Sequence, residues 1–213
     1  IRDRVIRMPT GAGVGAGPFH SQSNEAWFSH TPGLKVLYPS NPEDAKGLML
    51  AAIEDPNPVM IFEHKALYRS LIGMVPENYY VTPIGKAKLV EEGNELSIIT
   101  YGMGVHWAKK AIKEKNILAD ILDLRTLLPI DKDSIFESVK KTSKVLVLHE
   151  DCLTGGIGGE ISSLINENCF ESLDAPVIRC ASMDTPVPFA SDLEDQFLAN
   201  KNLSEKIDYL INY

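Results

Sequence analysis

The chain has 213 residues, 44% hydrophobic and 23% charged, with a formal net charge of −8. This is the make-up of a globular protein with room for one large or two small domains. Its acidity argues against a nucleic-acid partner held through phosphates, though a small phosphorylated cofactor needs only a local site. No apolar run approaches the roughly 18 residues a membrane helix requires, so no membrane partner is expected. Cys152, Cys169 and Cys180 are odd in number and form no zinc pattern, which suits a reduced, cytoplasmic setting. The chain begins Ile-Arg-Asp-Arg, without methionine, and is read as a piece of a longer polypeptide.

Val5 to Met8 alternates apolar and polar residues, as a strand does, and Pro9-Thr10 closes it. Glycines follow at positions 11, 13, 15 and 17, then His20, Ser21, Gln22 and Ser23. A glycine run lets backbone approach a ligand closely at an entropic cost, and it delivers a histidine, whose ordinary pKa lies near neutrality. A flexible surface loop with an incidental histidine reads equally well. The run matches neither the dinucleotide fingerprint nor a phosphate-binding loop ending in Gly-Lys-Ser/Thr.

Residues 22–29 suggest a short helix and Lys35 to Tyr38 a strand. Asn41-Pro-Glu-Asp44 starts a helix with a cap, a first-turn proline and two acids. That helix runs to Glu54, and Val59 to Phe62 is a buried strand. Leu71 to Thr82 has no clean period and reads as a linker. Ala87 to Glu91 and Leu96 to Thr100, joined through Glu92-Gly-Asn94, read as a hairpin. Helices over 105–115, 131–140, 156–167 and 203–211 then alternate with strands over 119–124, 144–149 and 177–180. The unbroken Val145-Leu-Val-Leu148 marks a strand covered on both faces. Alternating strands and helices imply α/β architecture with parallel sheets.

Several motifs bear on chemistry. Asp55 and Asn57, with carbonyls from Ala52, offer oxygen ligands for a hard cation, though a helix-ending turn explains them as well. Glu63-His-Lys-Ala-Leu-Tyr-Arg69 follows a buried strand, where ligand sites of open α/β sheets lie, and also reads as a solvated loop. Arg125, after another strand, is expected to pin a domain or subunit contact. His149-Glu-Asp151 with Leu153-Thr-Gly-Gly156 is either an anion-binding turn or a tight turn that needs glycine. Hydrolase templates such as Gly-x-Ser-x-Gly and HExxH are missing.

Taken in order, Gly17-Pro-Phe-His-Ser-Gln-Ser-Asn-Glu-Ala-Trp-Phe28, Pro32-Gly-Leu-Lys-Val36, Ile53-Glu-Asp-Pro-Asn-Pro58 and Phe62-Glu-His-Lys-Ala-Leu-Tyr-Arg69 resemble the beta subunit of 2-oxo acid dehydrogenases. Asp123-Leu-Arg-Thr126, His149-Glu150, Leu153-Thr-Gly-Gly156, Asp184-Thr-Pro186 and the terminal Ile-Asn-Tyr213 extend the resemblance over nearly the whole chain. Within that thiamine-diphosphate-dependent family the branched-chain enzyme is the nearer match and the pyruvate enzyme the runner-up.

The resemblance implies three-layer parallel-sheet domains. Residues 1–76 would be the second half of a transketolase-like pyrimidine-binding domain, 77–90 a linker, and 91–213 a transketolase C-terminal-type domain. It implies His20 as the active-site histidine, and potassium at Ala52, Asp55 and Asn57. It assigns no role to Tyr68 or Arg69. Thiamine diphosphate and magnesium would be shared with an alpha subunit or a fused alpha part. The cofactor-activating glutamate and the diphosphate site would lie outside this chain, which is therefore expected to be inactive alone. A second beta subunit and a lipoyl-bearing dihydrolipoyl acyltransferase are the further expected partners. A non-catalytic assembly module that docks the acyltransferase is the competing reading.

Overall fold

The computed structural model describes residues 4–213, so the first three residues of the expected 1–76 domain lie outside it. In chain order the elements are β1 (Val5–Thr10), α1 (Gly17–His20), α2 (Glu25–Ser29), β2 (Lys35–Leu37), α3 (Pro42–Glu54), β3 (Val59–His64) and α4 (Leu67–Ser70). Then come β4 (Lys88–Glu91), β5 (Leu96–Thr100), α5 (Met103–Lys115), β6 (Ala119–Asp123), β7 (Thr126–Leu128), α6 (Lys132–Thr142) and β8 (Val145–Cys152). The chain ends with α7 (Gly158–Cys169), β9 (Ile178–Ser182), α8 (Ser191–Phe197) and α9 (Leu203–Ile211).

Two sheets carry these elements. One has the order β1-β3-β2-β7, the other β4-β6-β5-β8-β9. Within each, neighbouring strands are parallel except for one antiparallel edge, β7 against β2 and β4 against β6. The second sheet is the middle of three layers, and its strand periodicity shows why. Leu96, Ile98, Ile121, Leu146 and Leu148 face α5 and α9, where Val105, Ala108, Leu203 and Ile207 meet them. The alternate residues Ile99, Leu122, Val145 and Val147 face Ile135 and Val139 of α6 and Ile161 and Ile165 of α7. A strand apolar at every position is stable only when covered on both sides.

In the first sheet, Leu37, Val59 and Ile61 pack under Leu48 and Ala52 of α3. The opposite face, with Val36, Tyr38, Met60 and Phe62, joins Ile99, Tyr101, Leu122 and Leu124 in one core. The sheets are therefore welded through apolar side chains. The start of α3 is as its sequence predicts: Asn41 Oδ1 accepts the Asp44 N–H at 2.9 Å.

One expectation changes and two features are added. The 87–100 hairpin does not form, because β6 lies between β4 and β5. The connecting turn crosses the start of β6 instead, with Asn94 and Glu95 N–H donating to Leu118 O at 3.0 and 2.9 Å. Gly93 is required there, since a Cβ would lie 2.1 Å from the Leu118 carbonyl carbon. The stretch after Leu71 is a strap across α3: Tyr80 donates to Glu43 O at 2.8 Å, and the Thr82 N–H to Gly47 O at 3.1 Å. Finally β7, from the second stretch of the chain, crosses over to extend the first sheet.

Candidate active site

The glycine run connects β1 to α1 and lies over the carboxyl end of β3. Gly11, Gly13, Gly15 and Gly17 all have positive φ, 58° to 98°, which explains glycine at alternate positions. Two also make room: a Cβ on Gly11 would fall 2.4 Å from His64 Nε2, and one on Gly17 2.4 Å from the Phe189 ring. The N–H groups exposed by this path face carboxylates. Ala12 N–H donates to Glu150 Oε1 at 2.7 Å, and Gly15 N–H to Glu194 Oε2 at 3.0 Å. This is how a concave run of N–H groups receives an anion, and here the anions belong to the chain.

His20 ends α1 and is exposed, in a cavity of about 150 Å³ shared with Pro9, Thr10, Phe19 and Phe62. Its ring can meet a group brought from outside. The residues behind the loop are buried instead. Glu150 Oε2 lies 2.6 Å from His64 Nε2, and Tyr101 Oη donates to Glu25 Oε1 at 2.7 Å. His149 stacks its ring parallel to Tyr101 at 6.5 Å.

Burial dominates the electrostatics of this cluster. It pushes the Glu25 carboxyl well up, with the charge of Asp151 adding to the effect and the Tyr101 hydroxyl opposing it. Asp151 moves up for the same primary reason. His149 goes the other way, down to about 4, because burial penalises its cation and Arg179 repels it. Lys65, at the end of β3, is also held down by burial despite the pull of Glu150 and Glu194. The site thus concentrates groups that hold or refuse protons against their habit, a common property of functional sites.

Glu63-His-Lys-Ala-Leu-Tyr-Arg69 divides in two. Glu63 is bound by Arg7 through two 2.6 Å contacts and by the Tyr68 hydroxyl, while Arg69 is exposed. A cavity of about 500 Å³ opens here at the ends of β2 and β3, lined by residues including Ser40, Met49, Ile61, Glu63 and His64. A larger one, about 760 Å³, lies between α2, β7 and α7, lined by the exposed His30, Lys132 and Glu160 and the half-buried Arg179.

Asp55 and Asn57 meet just after the end of α3, the helix that carries Ala52. Lys35 Nζ binds Asp55 Oδ2, and both Asn57 nitrogens donate to Oδ1 at 2.9 Å. Burial opposes the Asp55 charge, but Lys35 and Asn57 outweigh it and hold the carboxyl below its usual value. Both Asp55 carboxylate oxygens have partners within the chain, so a potassium ion here would share them or draw on main-chain carbonyls. Among the described residues, no three His, Cys, Asp or Glu side chains group so as to hold a metal ion.

The Leu153-Thr-Gly-Gly156 turn is a tight one. A Cβ on Gly156 would lie 2.4 Å from Cys152 O, and one on Gly158 2.5 Å from His149 Nε2. Thr154 N–H and hydroxyl are taken by Asp184 at 2.8 and 2.7 Å. Arg125, at φ +56°, pins the two sheets as expected. It contacts Asp44 at 3.0 Å and the Lys86 and Ala87 carbonyls at 3.0 and 3.2 Å. His64 and Glu150 carried a local signal, each near the end of an apolar strand; sequence reasoning missed Glu25, Tyr101 and Glu194 as parts of the same site.

Residues 4–70 match the transketolase pyrimidine-binding domain family and residues 85–202 the transketolase C-terminal domain family. The chain is 46% identical over 205 residues to a 2-oxoisovalerate dehydrogenase subunit beta of Bacillus subtilis, covering 94% of this chain and 63% of that protein. It is 41% identical to a mitochondrial 2-oxoisovalerate dehydrogenase subunit beta 2 of Arabidopsis thaliana, covering 98% and 59%. The chain therefore spans less than two thirds of the length of these relatives. A solved structure titled split gene transketolase, inactive beta4 tetramer, aligns with a TM-score of 0.76 at 22% identity, over 98% of this chain and 66% of that one. That likeness bears on the fold.

Proposed function

This chain belongs to the transketolase-type family that includes the 2-oxo acid dehydrogenase beta subunits, and we propose that it acts within an enzyme that oxidatively decarboxylates branched-chain 2-oxo acids. The observation that carries the reading is the glycine loop, which presents an exposed His20 at the carboxyl end of a parallel sheet, backed by a buried hydrogen-bonded Glu150 and His64.

The cofactor of this reading is thiamine diphosphate, which supplies the electron sink for decarboxylation. This chain's share in holding it is small. The glycine-loop N–H groups already bind Glu150 and Glu194, so they offer no cradle for a diphosphate. In this reading magnesium and the diphosphate are held by an alpha subunit or fused alpha part. His20 orients the 2-oxo acid at the open face and exchanges a proton through a ring nitrogen during acyl transfer to a lipoyl arm. The exposed Phe19 ring, 6.0 Å from the Phe189 ring, lies beside that face. A second beta subunit and a lipoyl-bearing acyltransferase complete the assembly in this reading, and the isolated 213-residue chain is inactive.

The test uses the full-length protein with its alpha partner, thiamine diphosphate, magnesium and an artificial electron acceptor. Faster turnover of 2-oxoisovalerate than of pyruvate is expected. The reverse preference would leave the chemistry and replace the substrate. No turnover of either, with cofactor bound, would overturn the reading. In the same assay His20→Ala is expected to lose acyl transfer while assembling normally; lost assembly with normal chemistry would favour the docking-module reading.

A further inference from the structure

We propose that Glu150 is the positioning residue of the His20 loop, reaching across from the second sheet to hold both flanks of the segment that carries the histidine. Only the kinetic part of its test rests on the function proposed above. Glu150 is 5% exposed and stands near the end of β8. Its Oε1 accepts the Ala12 N–H at 2.7 Å and faces the Ser23 hydroxyl at 3.5 Å. Ala12 precedes His20 and Ser23 follows it, so one carboxylate oxygen brackets the segment.

The second oxygen fixes a second histidine. Oε2 meets His64 Nε2 at 2.6 Å, while His64 is 2% exposed and its Nδ1 has no partner among the described residues. A proton on Nε2 satisfies the carboxylate and leaves Nδ1 a bare acceptor. A proton on Nδ1 would be a buried donor with nothing to bond, the more costly arrangement. The oriented ring is then the floor on which Gly11 rests, at φ +98°, with no space for a side chain.

Glu150 therefore sets the height of the loop in two ways, by holding the Ala12 N–H from one oxygen and the ring beneath Gly11 from the other. Glu194 secures only the outer part, through contacts of 3.0 to 3.4 Å to Val14 and Gly15 N–H. A residue acting this way is one that catalysis feels without touching substrate, because misplacement of about 1 Å costs on the order of a hundredfold in rate.

The experiment compares Glu150→Ala, Glu150→Gln and Glu150→Asp in the full-length assembled protein, by hydrogen-exchange mass spectrometry and steady-state kinetics. Glu150→Ala is expected to speed amide exchange over residues 11–23 by at least about tenfold, with the β5 and α9 peptides unchanged. Its kcat is expected to fall about a hundredfold with KM little altered. Glutamine keeps one acceptor oxygen of the right reach but turns a donor towards His64, so it restores part of the protection and rate. Aspartate, one methylene shorter, cannot span Ala12 and His64 together and does not restore them. Exchange over 11–23 in Glu150→Ala equal to wild type overturns the proposal. If the alanine variant fails to fold, the glutamine and aspartate variants decide, and equal exchange in those two overturns it. Absent turnover in wild type, with exchange in the expected order, removes the function reading and leaves the positioning role standing.

Discussion

Two buried acidic centres join the sheets, and they treat their carboxylates differently. At the Arg125 centre, Asp44 is met by a guanidinium at 3.0 Å and by Asn41 Nδ2 at 2.7 Å. Its neighbour Asp123 takes the Arg125 N–H at 3.1 Å and the Ser40 hydroxyl. Burial still pushes Asp123 up to about 7, with Asp44 repelling it and Arg125 opposing the rise. At the Glu150 centre no arginine enters among the described residues. Glu25, Glu150 and Asp151 share neutral donors and one histidine, and Glu25 Oε2 has no partner among the described residues. The first centre is a latch, built around a fixed cation. At the second, burial raises Glu25 furthest, to about 8, and the centre sits under the loop that presents His20.

The sharpest way to break that contrast is Arg125→Ala. Removing one partner of a buried pair leaves a charge stranded, so a loss of about 3–5 kcal/mol is expected in chemical denaturation, against a much smaller loss for any single donor at the other centre. A loss below about 1 kcal/mol would show that Asn41 and Thr82 suffice for Asp44, and that the latch is not cation-dependent.

Tyr101→Phe takes one neutral donor from Glu25. A cost of about 1–2 kcal/mol is expected by the same measurement, because the acid keeps its proton but loses its partner. A cost as large as that of Arg125→Ala would mean that Glu25 is ionised and that the two centres are alike.

The smallest effect at fixed pH, and the most diagnostic, is that of Glu25→Gln on stability against pH. The folded carboxyl binds its proton more tightly than the unfolded one. Its contribution is thus fully present below the ordinary carboxyl range and is lost as pH rises through the raised folded value. Wild type should weaken from pH 5 towards pH 8, and the glutamine variant should weaken less, with a difference under about 1 kcal/mol at pH 5. His149 acts oppositely, since its pKa falls to about 4 from an ordinary 6.5, so its contribution is lost as pH drops below 6.5. Parallel pH curves for wild type and Glu25→Gln would remove the proton-holding distinction between the centres.

How far the sequence could reach is visible residue by residue. α3 and α9 have the expected bounds because cap, proline and helical apolar spacing are local signals. The 145–148 run was legible as a covered strand for the same reason. The glycine run and His20 could be singled out, since φ preference and ionisable chemistry are properties of single residues.

The partners of that loop were not legible. Glu25, Glu150 and Glu194 are ordinary acids in sequence, 76 to 180 residues from the groups they meet. The 87–100 pair misled because turn chemistry predicts a reversal but not which strand will insert. By itself the sequence determined the elements, the α/β class and the exposed histidine's loop. Packing of two sheets through one core decided which carboxylates were forced out of water, and so which of them bind cations and which keep protons.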